Sequence, residues 1–345
     1  MLIFKRYLLI LLMLPFLGSN SRAQSATALT LSSYVLNKEI QKIEVLWPGE
    51  EIEDIKIKST KHISVKTTAA DQFEVKSKKN DQKFHQIELE AKAASGKTLN
   101  QAFTLVKDEF EKNKVIAHRG AWKNVPTTEN SLAALKHAVD LKCQGSEFDV
   151  YLSADTVLYI HHDPDIGDLL IEKTPSPTLE HLRLENGESL PTLSAYLLGG
   201  KNQNRTRLIV EIKPTKGDFS RKKLIVDEVL KLVAKTQTQA WVEYISFVYD
   251  MCKMLKQKDP FATVAYLNGD KAPADIKKDN ISGIDYSFKV MLKNPQWIEE
   301  AHNLGMTVNV WTVNDEAIMD WMLKQGVDYI TTNEPELLLK KVGRD

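Results

Sequence analysis

The feature that most constrains the fold is a change of hydrophobic pattern at Lys114. Beyond it, short runs rich in valine and isoleucine alternate with amphipathic stretches of helical period, such as residues 130–141. Parallel strands joined by crossover helices give this alternation, because helices cover both faces of the sheet. The candidate strands are Val115–His118, Glu147–Val150, Leu208–Lys213, Tyr244–Phe247, Thr263–Leu267, Gly283–Ser287, Thr307–Thr312 and Tyr329–Thr332.

Eight β/α units predict an α/β fold, a (β/α)8 or TIM barrel, over residues 113–345. The alternative for the same alternation is an open, doubly wound parallel sheet. The two differ in whether the last strand pairs with the first.

Residues 24–112 follow a different pattern, in which apolar and polar residues alternate one by one. Examples are Ile55-Lys-Ile57-Lys and Phe73-Glu-Val75-Lys. One apolar and one charged face are typical of half-buried antiparallel strands. We therefore expect a small all-β domain, an immunoglobulin-like sandwich, ahead of the barrel. It contains no catalytic constellation, and its role as spacer or binding module is left open.

Residues 1–23 read as a secretory signal peptide. Lys5 and Arg6 precede an apolar run over residues 7–17, and small or polar residues follow up to Ala23. The run is too short to span a bilayer comfortably, although a retained anchor is the alternative. The sequence thus predicts an exported protein, periplasmic or secreted, that begins at Gln24.

The overall charge limits the classes of binding partner, and the number of cysteines limits disulfide bonding. The 46 basic and 46 acidic residues cancel, so no bulk charge favours nucleic acid or an anionic membrane. Cys143 and Cys252 make no disulfide framework, and we expect two buried free thiols.

Pairs of charged side chains occur on two of the candidate strands. Glu147 and Asp149 are two apart, and Glu211 and Lys213 repeat that spacing, so each pair faces one way. A solvated sheet face would explain such pairs, but a parallel sheet is covered on both faces. Converging carboxylates repel one another unless a cation lies between them, and oxygen ligands favour Mg²⁺ or Ca²⁺.

Two histidine-containing stretches complete the candidate site. His118, Arg119 and Gly120 end the first candidate strand. An imidazole exchanges protons near neutral pH, and a guanidinium can bind a phosphate through two hydrogen bonds. His161 and His162 are adjacent, so an extended chain directs only one of them into a site. This set of groups suits transfer at a phosphodiester.

These stretches resemble the glycerophosphodiester phosphodiesterase family. The matching motifs, in family order, are HRG at 118–120, EN at 129–130, EFDV at 147–150, HHD at 161–163, EIKP at 211–214 and VWTVN at 310–314. Their order makes the set specific, and the N-terminal β domain lies outside it. One departure is Asn333, where the family usually has an aspartate.

The resemblance implies a (β/α)8 barrel that binds one divalent cation, Ca²⁺ or Mg²⁺. It would hydrolyse small glycerophosphodiesters to sn-glycerol 3-phosphate and an alcohol. By motif, the metal ligands would be Glu147, Asp149 and Glu211, the acid–base pair His118 and His162, and the substrate-binding residues Arg119, Lys213, Trp311 and Glu129. We prefer His162 to His161 because the family histidine directly precedes the aspartate. Glu129 has an equal alternative, as a carboxylate that favours a helix N-terminus.

Two other functions fit the same scaffold. One is a phospholipase C- or D-like phosphodiesterase that acts on lipid head groups. The other is a non-catalytic exported binding protein. The sequence leaves open the alcohol half of the substrate, the choice between Ca²⁺ and Mg²⁺, the acid and base assignment, and protein partners. It predicts neither nucleic-acid binding nor stable membrane insertion.

Overall fold

The computed structural model describes residues 28–77 and 82–343. The predicted signal peptide, residues 1–23, lies outside these ranges. Across the described ranges, none of the helices combines the length and the apolar character needed to cross a membrane.

The N-terminal domain is a sandwich of two four-stranded sheets, ordered β1-β3-β6-β5 and β2-β8-β7-β4. Its strands are β1 (Thr30–Leu31), β2 (Val35–Leu36), β3 (Ile40–Leu46), β4 (Ile52–Ser59), β5 (Ile63–Ala69), β6 (Gln72–Ser77), β7 (Phe84–Ala93) and β8 (Thr98–Lys107). Alternate side chains enter the core, as Ile43 and Val45 do from one sheet and Ile87 and Leu89 from the other. The predicted all-β domain is confirmed.

The second domain is a closed barrel of eight parallel strands, ordered β10-β14-β15-β16-β17-β18-β19-β9, with β9 pairing back to β10. Closure is made by β19 beside β9, where Thr331 lies opposite Ile116. The barrel prediction is therefore confirmed, and the open-sheet alternative is wrong. Its strands are β9 (Val115–Ala117), β10 (Gly145–Leu152), β14 (Arg207–Ile212), β15 (Val242–Ser246), β16 (Val264–Tyr266), β17 (Gly283–Ser287), β18 (Thr307–Trp311) and β19 (Tyr329–Thr332).

Helices surround the barrel, one short strand pairs antiparallel with β10, and two further short strands form a separate two-stranded sheet. The helices are α1 (Leu132–Asp140), α2 (Ser176–Leu179), α3 (Leu193–Gly200), α4 (Phe219–Thr236), α5 (Tyr249–Lys258), α6 (Pro273–Lys277), α7 (Phe288–Lys293), α8 (Gln296–Asn303), α9 (Glu316–Gln325) and α10 (Pro335–Lys341). The short strands are β11 (Leu158–Ile160), β12 (Asp165–Ile166) and β13 (Leu169–Leu170), and a 3-10 turn covers Ile171–Lys173. Helix α1 begins after Ser131, whose side chain accepts a hydrogen bond from the Ala134 amide.

The β domain packs against the barrel at the amino ends of the strands. Phe84 of β7 contacts Trp241, which directly precedes β15, with ring centroids 5.8 Å apart. Thr104 Oγ1 donates to Gln237 Oε1 at 2.9 Å, and the Asn204 amide donates to the Lys107 carbonyl at 3.0 Å. The domain thus lies on the side of the barrel opposite the carboxyl ends of the strands.

The two cysteines, Cys143 and Cys252, are buried free thiols, as the sequence predicts. Burial raises the pKa of both. A raised pKa keeps them protonated and unreactive at neutral pH.

Candidate active site

Three carboxylates meet at the carboxyl side of β10 and β14. Asp149 lies directly opposite Glu211 in the parallel register, and Glu147 lies two residues before Asp149 on the same face. One oxygen from each of the three acids lies within 4.8 Å of the others. All three side chains are buried. The barrel therefore brings together the three acids that the sequence singled out.

The electrostatics of this cluster favour a further positive charge. Burial raises the pKa of Glu147 well above its usual range, and the charges of Asp149 and Glu211 add to this. Burial and Asp149 raise the pKa of Glu211 to about 7. Burial also acts to raise the pKa of Asp149, but Lys213 and the Asn130 amide hold that pKa below its ordinary value.

Lys213 supplies only part of the missing charge. Its Nζ lies 3.1 Å from Asp149 Oδ1 and 2.8 Å from Glu211 Oε1. Glu147 Oε2 accepts the Arg119 backbone N–H at 2.9 Å, whereas Glu147 Oε1 has no hydrogen-bond partner among residues 28–77 and 82–343. Glu211 Oε1 also lacks a hydrogen bond within the described ranges, although it forms the ion pair with Lys213. Three buried carboxylates, two of them with an oxygen that accepts no hydrogen bond, fit a hard divalent cation ligated by oxygen.

His118 follows β9 and faces the acids. Its Nδ1 lies 2.7 Å from the side-chain oxygen of Asn333, and its Nε2 lies 4.0 Å from Glu147 Oε2. Burial, and then the charge of Arg119, lower the pKa of His118 to about 4. An amide oxygen only accepts hydrogen bonds, so Nδ1 carries the proton and Nε2 presents a lone pair to the cavity.

The two adjacent histidines have different surroundings. His162 lines the same cavity as His118, and its Nδ1 lies 2.8 Å from Asp163 Oδ1. Burial lowers the pKa of His162, while Asp149 and Asp163 oppose the shift. His161 does not line this cavity, and its Nδ1 lies 2.9 Å from the backbone oxygen of Asp163.

Arg119 has an unusual backbone conformation, with φ of 57°. A non-glycine residue in the left-handed region stores strain that the surrounding structure must hold in place. Arg119 Nη1 donates to both oxygens of Glu129, at 2.8 and 2.9 Å. Its Nε has no hydrogen-bond partner within the described chain and lies 3.7 Å from Asp149 Oδ2. The structure thus places Glu129 on the guanidinium of Arg119.

Asn130 is a site residue that the sequence reasoning did not name. Its φ is 60°, it is buried, and its amide donates to Asp149 Oδ2 at 2.8 Å. Its side-chain oxygen accepts the Asp149 backbone N–H at 3.3 Å. Asn130 therefore orients one of the three acids, and its place in the EN motif was the signal that could have found it.

The cavity enclosed by these groups has a volume of about 110 Å³. Ile245, Phe247, Leu267 and Trp311 form its apolar wall. The rings of Phe247 and Trp311 meet edge to face, with centroids 5.4 Å apart. The charged wall opposite suits a phosphate, and the apolar wall suits carbon chains.

Asp285 also lines the cavity and was not predicted as a site residue. It lies on β17, and burial, with a contribution from Glu211, raises its pKa to about 7 while Asn309 opposes the shift. The sequence could have indicated Asp285 as a site residue, because an acid inside a parallel strand is buried whichever way it points.

The chain matches the model of the glycerophosphoryl diester phosphodiesterase family over residues 118–337. This range contains every residue of the candidate site and all of the barrel except β9 and the end of α10, and the β domain precedes it. A curated relative, the glycerophosphodiester phosphodiesterase of Caldanaerobacter subterraneus, is 29% identical over 254 residues, which cover 68% of this chain and 99% of that protein.

Solved structures of glycerophosphodiester phosphodiesterases and a related phosphodiesterase are also similar to this chain. A glycerophosphodiester phosphodiesterase from Parabacteroides distasonis is 39% identical, with a TM-score of 0.66 over 68% of this chain and 98% of that one. An Oleispira antarctica phosphodiesterase, solved in complex with the product sn-glycerol-3-phosphate, has the same fold at 24% identity. That comparison covers 66% of this chain and 96% of the other, with a TM-score of 0.60.

Proposed function

This chain belongs to the glycerophosphoryl diester phosphodiesterase family and is a phosphoric diester hydrolase, and we propose that it releases sn-glycerol 3-phosphate from small glycerophosphodiesters in a reaction that depends on a metal ion. The observation that carries the proposal is the convergence of three buried acids, two histidines and two cationic side chains at one place in the barrel, where all of them except Asp149 line a single cavity.

The proposed metal site consists of Glu147, Asp149 and Glu211, with a Ca²⁺ or Mg²⁺ ion as the partner of the unpaired Glu147 oxygen. A divalent ion bound there supplies positive charge to the phosphate oxygens as negative charge develops on them. Asn130 holds Asp149 in place for this role through its amide hydrogen bond.

We assign the base to His118 and the acid to His162. The partner of His118 is a neutral amide, which orients the ring without stabilising its charged form. The partner of His162 is the Asp163 carboxylate, which stabilises an imidazolium. His118 Nε2 would take the proton of the attacking hydroxyl, and His162 would give a proton to the leaving alkoxide.

Arg119 and Lys213 are the proposed phosphate-binding residues. Arg119 Nε is an unused donor in the described structure, and Glu129 holds Nη1 of the same guanidinium. Lys213 lies between two of the acids, where its charge also reaches the cavity. Together they would hold the diester in line with the two histidines.

Release of glycerol 3-phosphate from a panel of diesters, with and without EDTA, tests the proposal. The panel would contain glycerol esterified through phosphate to choline, ethanolamine, glycerol or inositol. We expect turnover of at least one diester, its loss in excess EDTA, and its return with Ca²⁺ or Mg²⁺. Full activity in EDTA would contradict metal dependence, and release of a phosphorylated alcohol with free glycerol would contradict the proposed product.

Export is proposed from residues 1–23 alone, which lie outside the described ranges. Fractionation of the producing cells, with N-terminal sequencing of the mature protein, tests this. A mature chain that begins near Gln24 outside the cytoplasm is expected, and an intact Met1 in the cytoplasm would contradict it.

A further inference from the structure

A fourth buried carboxylate, Asp285, lies on the wall of the same cavity and is not one of the three proposed ligands. It is 2% exposed, and within the described ranges its Oδ1 has no hydrogen-bond partner. A buried acceptor without a hydrogen bond costs free energy, so such an atom usually accepts a hydrogen bond from water or a ligand. The proposed mechanism has no use for this oxygen.

The neighbours of Asp285 offer complementary hydrogen-bonding groups. Asn309 lies opposite it on β18, and the Asn309 amide donates to Thr331 Oγ1 at 2.8 Å. Thr331 also lines the cavity, and its hydroxyl retains a hydrogen to donate. The wall therefore presents the unpaired oxygen of an acid as an acceptor and a neutral hydroxyl as a donor.

Trp311 adds a flat apolar surface to this wall. Its indole N–H donates to the Asp285 backbone oxygen at 2.8 Å, which fixes the ring beside the carboxylate. An acceptor, a donor and an aromatic ring match a small polyol, whose hydroxyls form hydrogen bonds and whose carbon chain packs on the ring.

The other ligand classes fit this wall less well. A second anionic group would be repelled by the Asp285 carboxylate. An ammonium group only donates hydrogen bonds, so it would leave the hydrogen of the Thr331 hydroxyl without an acceptor. A hydroxyl needs one acceptor and one donor, and both are present.

We propose that Asp285 determines specificity for the glycerol half of the diester, by accepting a hydrogen bond from a glycerol hydroxyl while Thr331 donates to the other. This inference rests on the proposed function and deepens it. It identifies the part of the cavity that binds glycerol, so the leaving alcohol lies toward His162.

Two esters that differ only in hydroxyl groups test the proposal. Glyceryl 4-nitrophenyl phosphate and propyl 4-nitrophenyl phosphate share a leaving group, so the ratio of their kcat/KM values reports recognition of the hydroxyls. We expect the wild-type enzyme, with Ca²⁺ or Mg²⁺, to favour the glyceryl ester by about 10²-fold or more. Asp285→Ala should lower this ratio at least about tenfold, and Thr331→Val should lower it in the same direction.

Two further variants separate recognition from damage to the fold. Asp285→Asn keeps the shape of the side chain and is the substitute if the alanine variant does not fold. It should lower the ratio, though less, because an amide oxygen is a weaker acceptor than a carboxylate. Asp259→Asn removes another buried carboxylate, one outside the cavity, and should leave the ratio at the wild-type value.

Several results would overturn the proposal. An equal ratio in the wild type and in Asp285→Ala would do so. A wild-type preference for 2-aminoethyl 4-nitrophenyl phosphate over the glyceryl ester would also do so, if Asp285→Ala abolishes that preference. If the wild type hydrolyses neither ester, the proposed function fails, and calorimetry with glycerol 3-phosphate and propyl phosphate tests Asp285 by itself. Tighter binding of glycerol 3-phosphate that Asp285→Ala removes would support its role, and equal binding of the two ligands would reject it.

Discussion

His118 donates its Nδ1 hydrogen to the side-chain oxygen of Asn333 at 2.7 Å, where the first and last barrel strands meet. The family motif described in the sequence analysis usually has an aspartate at the position of Asn333. A carboxylate would orient the ring and also stabilise its charged form, whereas an amide does only the first. This contact therefore keeps the proposed base neutral at lower pH than a carboxylate would.

Asn333→Asp should move the acidic limb of the pH profile to higher pH. Burial and Arg119 lower the pKa of His118 to about 4, and a new carboxylate favours the imidazolium and raises that pKa. A base acts only when neutral, so activity falls as the pH drops through its pKa, and a higher pKa brings the fall earlier. The kcat/KM of the two proteins between about pH 4 and 9 measures the shift.

The matched control is Asn303→Asp, which adds the same charge at an exposed position on α8. It should leave the profile unchanged. A limb that stays in place or moves to lower pH in Asn333→Asp would contradict the assignment of His118 as the base.

Glu147→Ala, Asp149→Ala and Glu211→Ala should each lose the metal ion and most of the activity while the barrel still folds. Each substitution removes one of three converging carboxylate ligands. Calorimetric titration with Ca²⁺ and Mg²⁺, alongside turnover and circular dichroism, measures this. A variant that retains wild-type affinity for both ions would remove its residue from the proposed site.

Glu147→Gln should make the metal-free protein more stable at neutral pH. The folded state raises the pKa of this carboxyl, so its ionised form destabilises the fold at every pH above the unfolded value. A neutral amide of the same shape avoids that cost. Thermal melts in EDTA at pH 7 and at pH 4 should show a gain that shrinks at the lower pH. A lower Tm at pH 7 would contradict the charge argument.

Asn130→Gly should weaken metal binding by roughly 10–100-fold, the usual effect of losing a group that orients a ligand. It removes the hydrogen bond to Asp149 and keeps a backbone that tolerates a φ of 60°. Asn130→Ala loses the same bond and adds backbone strain, so it should bind metal equally weakly and melt at a lower temperature. Unchanged metal affinity in both variants would show that Asp149 does not depend on Asn130.

His118→Ala and His162→Ala should lower kcat by roughly 10²–10⁴-fold with metal binding intact, whereas His161→Ala should cost far less. A 4-nitrophenyl leaving group needs little protonation, so such esters should rescue His162→Ala and leave His118→Ala inactive. Rescue of His118→Ala in place of His162→Ala would reverse the two roles. Equal inactivity of both variants on these esters would argue against separate acid and base.

Residues 110–345 alone should retain hydrolytic activity but melt at a lower temperature. All site residues lie in the barrel, and the β domain packs on the opposite side, where it buries Trp241 beside Phe84. Deletion exposes that apolar surface to water. Phe84→Ala in the full chain should lower the Tm in the same direction without changing kcat. A folded truncation that binds metal and turns over nothing would show that the β domain contributes to the site.

The sequence alone determined the two folds and indicated most residues of the candidate site. Alternation with a period of two identified the sandwich, and β/α alternation with a covered sheet identified the barrel. Parallel strands put their carboxyl ends on one side, so Glu147, Asp149 and Glu211 could be expected to converge once the strands were identified. These inferences hold because side-chain direction along a strand is a local property of the backbone.

Only the tertiary structure decided which side chains meet across distant strands. Asn333 becomes the partner of His118 because barrel closure places β19 beside β9, although the two residues are 215 positions apart. Glu129 contacts Arg119 because the loop between them folds back, with the Asn130 backbone N–H donating to the Arg119 backbone oxygen at 2.9 Å. Asp285 faces the cavity as a single acid on its strand, with no spacing pattern to mark it. Sequence periodicity specifies the face of an element, whereas the contacts between elements depend on register and closure, which long-range packing sets.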